Sequence, residues 1–246
     1  VIKNSQLFSD LTEIEQLFMD PDAAPWESLQ AMIAFMNAHA HPPEKKEGEG
    51  AKEVETKCPE WPKSMPCCTE ATKNLPTHTQ SVFSEKPIIC RGGWELVVDE
   101  SVVIHGPIYI GRGVKIRKGG VIIGPAFIGD GVVIGCTRVK QSIIRAGAII
   151  ESYNRIRNCV IGRSVHIMPT CSINDEDVRG REIVYKHMSK HVATGLKCLG
   201  LIAGDDVIIG GGCVTYPGAI VTGGCIDHGT RLLRAVTAGL YYSDEE

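Results

Sequence analysis

The 246-residue chain has no apolar run near the roughly 18 residues that a membrane-spanning helix needs, which excludes a spanning helix. It also lacks a surplus of either charge. Lys plus Arg is 26 against 29 for Asp plus Glu, so a general electrostatic attraction to nucleic acid is excluded. Paired metal-ligand spacing is missing too: Cys58, Cys67, Cys68 and His78 do not form the repeated close pairs of a structural zinc site, and no metal is expected. The 10 cysteines include Cys136, Cys159, Cys171, Cys198, Cys213 and Cys225, scattered singly through apolar sequence. Cysteine so placed behaves as a small hydrophobe, and the expected setting is reducing and intracellular, in cytoplasm or an organelle matrix. The first residue is Val1, which reads as the product of processing or truncation.

Two short helices are expected in a region spanning 1–41. The first opens at Ser9 and places Leu11, Ile14, Leu17 and Phe18 on one side. The second begins at Pro25, and Trp26, Leu29, Ile33 and Met36 follow at helical spacing, an apolar stripe that must dock on the domain or on a neighbouring subunit. Proline, glycine and charge then replace periodicity over 42–93, the composition of a linker or wrapping arm.

From Trp94 a period of six takes over. Isoleucine stands at 104, 110, 116, 122, 128 and 134, and two residues before each stands Val102, Ile108, Val114, Gly120, Ala126 or Val132. A helix repeats near 3.6 and a flat strand at 2, so neither accounts for six. Three short strands joined by corners do, each hexad forming one side of a triangular coil with its aliphatic residues turned to the axis. The phase breaks at Lys140 and resumes at Ile144, Ile150 and Ile156, then at Ile161, Ile167 and Ile173. A polar stretch over 174–198 interrupts it; Leu201, Val207, Cys213 and Ala219 restore it, and the rhythm ends near Gly224, leaving a tail over 225–246. Loops leaving a repeat array on one side are where binding is expected.

These hexads resemble those of the left-handed parallel β-helix, or hexapeptide-repeat, acyltransferases. The phrases PWESLQAMIAFM, KQSIIRAGAII, NCVIG and ATGLKCLGLIAGD are similar to the acyltransferase modules of sugar-phosphate nucleotidylyltransferases and their stand-alone relatives. The resemblance implies a mainly β fold, a left-handed β-helix of about six coils over 94–224. It implies a homotrimer or a subunit of a larger assembly, acyl-coenzyme A (acetyl-coenzyme A) as co-substrate, and a sugar-nucleotide or amino-sugar acceptor. In that branch a histidine removes the proton from the attacking group, work suited to imidazole.

Here the corresponding phrase is Glu151-Ser152-Tyr153-Asn154-Arg155, with Ser152 at the place of the histidine and Arg155 at that of a tyrosine. A serine without its own base cannot do that work. The remaining catalytic candidates are Asn174 and the pair His187 and His191, four apart in YKHMSKH and aligned if that segment is helical. Ser152, Asn154 and Arg155 are the substrate-binding candidates, and Lys197, Gly195 and Gly210 those for the coenzyme. His166 has no counterpart in the family and reads as a corner residue, and His105 and His166 lie too many coils apart to share an ion. Two functions follow: an acyltransferase, or a catalytically silent scaffold that keeps the fold.

Overall fold

The computed structural model describes residues 2–38, 96–99, 101–187 and 190–232, together with the backbone of 82–83 and 88–90. The rest of the 42–93 arm, with Cys58, Cys67, Cys68 and His78, and the tail beyond 232 lie outside the described residues.

The six-residue rhythm produces a three-walled parallel β-helix. One wall is a seven-stranded sheet that includes Ile108–Ile110, Ala126–Ile128, Ile143–Ile144, Val160–Ile161, Ile202–Ala203 and Ile220–Val221. A second seven-stranded wall runs from Val97–Val98 through Ile149–Ile150, His166–Ile167 and Ile208–Ile209 to Cys225–Ile226. Among the described residues there are thus seven coils where the sequence suggested about six. The winding also outlasts the rhythm, since Cys225–Ile226 and Arg231–Leu232 pair in parallel beyond Gly224.

The isoleucines explain why the chain coils. Ile104, Ile110, Ile116, Ile122, Ile128 and Ile134 are all fully buried, as are Val102, Ile108, Val114, Ala126 and Val132. Each isoleucine and valine contributes on the order of 1.5–3 kcal/mol by leaving water, while the backbone of each coil finds its hydrogen-bond partners in the coils beside it. At Lys140 the coil shortens. Val103 pairs with Val121, eighteen residues on, but Val121 pairs with Arg138, seventeen on. Val139 therefore takes the inward place between Ile122 and Ile156, and Lys140 turns outward.

The first wall is covered by the chain's own N-terminus. The helix α1, Pro25–Ala38, lays Trp26, Leu29, Met32 and Met36 over Tyr109, Phe127, Ile143, Val160 and Ile202. Phe18 meets Phe127 edge-on at 5.2 Å, and Tyr109 stacks on Phe127 at 4.8 Å. The expected helix from Ser9 does not form; two 3-10 turns, Asn4–Gln6 and Glu15–Leu17, stand in its place. Its polar groups bond elsewhere: Glu15 accepts from Thr12 and from Arg145, and Asn4 donates to Ser28 and to the Asp20 carbonyl. Leu7, Phe8, Ile14 and Met19 are still buried against the wall.

Arg145 locks this cover in place. It is fully buried, and its guanidinium donates to Glu15 (2.9 Å), to Asp205 (2.8 Å) and to the Ser9 carbonyl (2.8 Å), with Phe8 under its plane at 5.6 Å. A buried guanidinium is tolerated because its donors are met by charged or carbonyl oxygens.

Candidate ligand-binding cleft on the split wall

The third wall is broken. Its upper part is a five-stranded sheet ending at Arg138–Lys140 and Arg155–Arg157, and its lower part a separate sheet of Ser172–Ile173, Val214–Thr215 and Arg231–Leu232. Side chains bridge the gap where a main-chain ladder would run. Asn154 Oδ1 accepts from the Cys171 amide (2.8 Å), and its Nδ2 donates to the carbonyls of Glu151 (2.9 Å) and Met168 (3.1 Å). Asn158 donates to Asp175 at 2.8 Å.

A cleft of about 360 Å3 opens at this break, lined by Tyr153, Asn154, Arg155, Asn174 and Asp175 together with 170–173. Three site residues expected from sequence, Asn154, Arg155 and Asn174, therefore come together. Their duties differ. Asn154 is buried with its amide committed to the corner, so it is a pillar of the cleft rather than a ligand contact. Asn174 is exposed and its Nδ2 donates to the Thr215 carbonyl (2.9 Å), which leaves its Oδ1 for a ligand. Arg155 is largely in solvent, its nearest carboxylate being Asp175 at 3.8 Å. Tyr153, 74% exposed, stands at the mouth.

Ser152 is not part of the lining; its Oγ accepts from the Cys136 amide at 3.1 Å, so the serine at the expected histidine position is a corner bond. Among the described residues no histidine lines the cleft. His187 and His191 do not lie on a helix: Val184–His187 and Lys190–Ala193 form an antiparallel hairpin in which His187 opposes Lys190 and His191 opposes Lys186. The alternating Val184, Tyr185 and Val192 suit a strand, and the buried Tyr185 packs on Trp26 at 5.5 Å, away from the cleft. Gly195 and Lys197 follow that hairpin. The Gly195 amide donates to Glu182 (2.6 Å), its φ of +72° being one that glycine adopts without strain, and Lys197 is exposed. Gly210 turns the corner below, where a Cβ would meet the His228 amide nitrogen at 2.7 Å; its place is set by packing.

His166 has a partner that the sequence did not signal. On the second wall its Nε2 lies 3.3 Å from Glu151 Oε1, both side chains partly exposed, with the exposed Ile149 and Ile208 on the flanking strands. The thiols nearby are sealed. Burial pushes Cys159 up to about 12, and Cys171 is raised by its hydrogen bond with Cys213 and by burial. Among the described residues no three of His, Cys, Asp and Glu cluster as metal ligands.

All of the lining residues fall inside one stretch of recognisable sequence. Residues 104–201 match the family of the GMPPB C-terminal domain. That domain is a left-handed β-helix at the C-terminal end of a nucleotidyltransferase, and the matched residues lie in the coils of the prism. Among solved structures the chain is similar to the polySia specific acetyltransferase NeuO, at 16% identity over 65% of this chain and 76% of that one, with a TM-score of 0.26. It is also similar to a hexapeptide transferase family protein from Anaplasma phagocytophilum, at 14% identity over 65% and 78%, with a TM-score of 0.20. A comparison with curated proteins gives no match.

Proposed function

We propose that this chain is a ligand-binding and assembly module of the sugar-nucleotide branch of the hexapeptide-repeat proteins, one that holds its ligand in the split-wall cleft and does not transfer an acyl group. The observation carrying this reading is the lining itself: a cation and an amide oxygen face the space, no imidazole among the described residues does, and Ser152 has its Oγ engaged with the Cys136 amide. Such a site can recognise an oxygen-rich ligand, and the carboxylate in its lining, Asp175, is already engaged with Asn158 at 2.8 Å and Arg157 at 3.3 Å, which disfavours it as the group that takes a proton from an attacking amine or hydroxyl.

Assembly is assigned to the second wall. The first wall is covered by α1, whereas the second presents Val97, Ile149 and Ile208 at 42%, 37% and 39% exposure on one face, a surface suited to a neighbouring copy in a homotrimer or to a subunit of a larger complex. An intracellular setting, in cytoplasm or an organelle matrix, suits the thiols of Cys159, Cys171 and Cys213, which are packed into the prism.

The test is the purified chain incubated with acetyl-coenzyme A and amino-sugar or sugar-nucleotide acceptors, read by mass spectrometry. No acylated product is expected, and light scattering should give a multiple of the 26.7 kDa chain mass. A turnover-dependent product would overturn the reading.

The His166–Glu151 pair favours a second reading, in which acyl transfer from acyl-coenzyme A takes place on the second wall. A carboxylate oxygen 3.3 Å from an imidazole nitrogen fixes the orientation of the ring, the arrangement in which a histidine can serve as a general base. In that case product forms and His166→Ala abolishes it.

A further inference from the structure

We propose that Cys171 and Cys213 are an oxidation site inside the prism, a thiol pair that a hydroperoxide converts to a disulfide stapling the coil before the hairpin excursion to the coil after it. The inference goes beyond the ligand-binding reading and does not depend on it.

The register makes the pair. In the lower sheet of the third wall Ser172 opposes Val214 and Ile173 opposes Thr215, so Cys171, one residue earlier, lies opposite Cys213. Both are free thiols turned into the prism, at 3% and 0% exposure. Adjacent strands lie about 4.8 Å apart, within the roughly 4.4–6.8 Å that separates the α-carbons of a disulfide. The two thiols already share a hydrogen bond. Closing the bond therefore needs no change of fold.

Among the described residues the other cysteines have neighbours of a different kind. Cys159 lies between Ser142 and Leu201 in the adjoining coils, and Cys225 opposes Ile208. Cys136 meets the Gly119 carbonyl, and Cys198 meets Glu176. Thiol faces thiol at one place in this set, and that place spans the excursion.

The pair is also electronically unequal. The hydrogen bond from Cys171 holds the Cys213 thiol below its ordinary value, helped by the Thr230 and Gly229 amides and opposed by burial, while the same bond and burial raise Cys171. A proton shared between two sulfurs gives the pair a thiolate character that the isolated Cys159, pushed up to about 12, lacks. Access comes from one side, since Cys171 lines the cleft and Cys213 does not. An opening this narrow excludes bulky alkylating reagents. Hydrogen peroxide, little larger than water, is the class of oxidant that fits.

The chemistry is a two-electron oxidation in two steps. The Cys171 sulfur attacks one oxygen of the peroxide: an S–O bond forms, the O–O bond breaks, and the departing hydroxide leaves as water with the thiol proton. The Cys213 sulfur then attacks the Cys171 sulfenic acid: the S–S bond forms, the S–O bond breaks, and the hydroxyl leaves with the Cys213 proton as a second water. The thiols are oxidised and the peroxide reduced.

The experiment uses the full chain, first reduced and freed of reductant, then exposed to hydrogen peroxide, quenched in acid, blocked with N-ethylmaleimide in denaturant and digested without reduction. Mass spectrometry should find the peptide of Cys171 joined to that of Cys213 with two hydrogens lost, and Cys159 unlinked. A dithiol reductant should undo the link. The bridged chain should melt higher by about 5 °C or more, because a bridge across forty-two residues constrains the unfolded chain. Cys213→Ser should halt the reaction at a Cys171 sulfenic acid that dimedone traps, and Cys171→Ser should leave Cys213 a free thiol at the same peroxide dose. The linkage map of the parent needs no variant, so it decides the matter even where a variant does not fold. The proposal is overturned if both thiols are recovered free after a dose that oxidises Cys198, if either links to another cysteine instead, or if the bridged chain melts no higher than the reduced one.

Discussion

Arg145 Nε sits 2.9 Å from Glu15 Oε1, and the two side chains are 0% and 3% exposed although 130 residues separate them in the chain. This ion pair, with Asp205 at 2.8 Å on the other side, fastens the N-terminal segment to the covered wall. Replacing Arg145 with Met leaves Glu15 as an uncompensated charge at a buried site and Asp205 with Arg163 alone as its cation, at 3.5 Å, a loss expected to cost about 3–5 kcal/mol. Chemical denaturation should register it. Hydrogen exchange should also rise first over 2–20, because the cover loosens before the coils do.

Asn154→Ala should open the corner that Asn154 now holds. Three hydrogen bonds vanish, and the Cys171 amide and the Glu151 and Met168 carbonyls lose a partner in or near the protein interior. The expected destabilisation is about 2–4 kcal/mol, since each buried polar group left unsatisfied costs about 1–3 kcal/mol. Ligand affinity at the cleft should fall with it. An unchanged melting temperature would show that the bonds are not needed to hold the split wall.

Ile208→Glu tests the second wall as an assembly surface. Ile208 is 39% exposed and its side chain is directed away from the core, so the substitution should leave the monomer fold within about 0.5 kcal/mol of the parent. It should nevertheless dissociate the oligomer by placing a charge in an apolar contact. Light scattering before and after the change decides the point.

Cys159 gives a pH signature. Its thiol is held to about 12 by burial, against an ordinary value of 9.0. Because the folded value is raised, the stability it contributes is complete below pH 9 and is lost as pH climbs toward 12. Native protein at pH 8 should therefore not be alkylated at Cys159 by iodoacetamide, and alkaline unfolding should set in within that window. Cys159→Ala should flatten the alkaline limb while lowering stability at neutral pH through the cavity it leaves.

How much of this the sequence discloses depends on the range of the interactions concerned. The isoleucine hexads are legible because each coil meets the next at a nearly constant separation, so a local period reports a long-range contact. The break in rhythm at Lys140 is legible, but its nature is not, because the shortening by one residue is an event in the register that only the pairing of Val139 with Ile122 and Ile156 reveals. The spacing of His187 and His191 fits a helix as well as a strand, and the hairpin is decided by Tyr185 finding Trp26. Asn154 and Arg155 stand side by side in one phrase, yet the Cys171 amide claims one and solvent the other. Arg145 gives no sign of its importance, since its partners, Glu15 and Asp205, lie 130 and 60 residues away.

The hairpin excursion bears on how such a molecule can change over generations. Elsewhere a strand meets its successor some seventeen residues later, as Ile149 meets His166, but His166 waits forty-two residues for Ile208. Closing the longer detour adds on the order of 1 kcal/mol at most, because closure entropy grows only with the logarithm of length. Lengthening, trimming or rewriting that segment is therefore nearly free for the rod, and new recognition properties can be tried at its edge without disturbing the isoleucines that hold it upright.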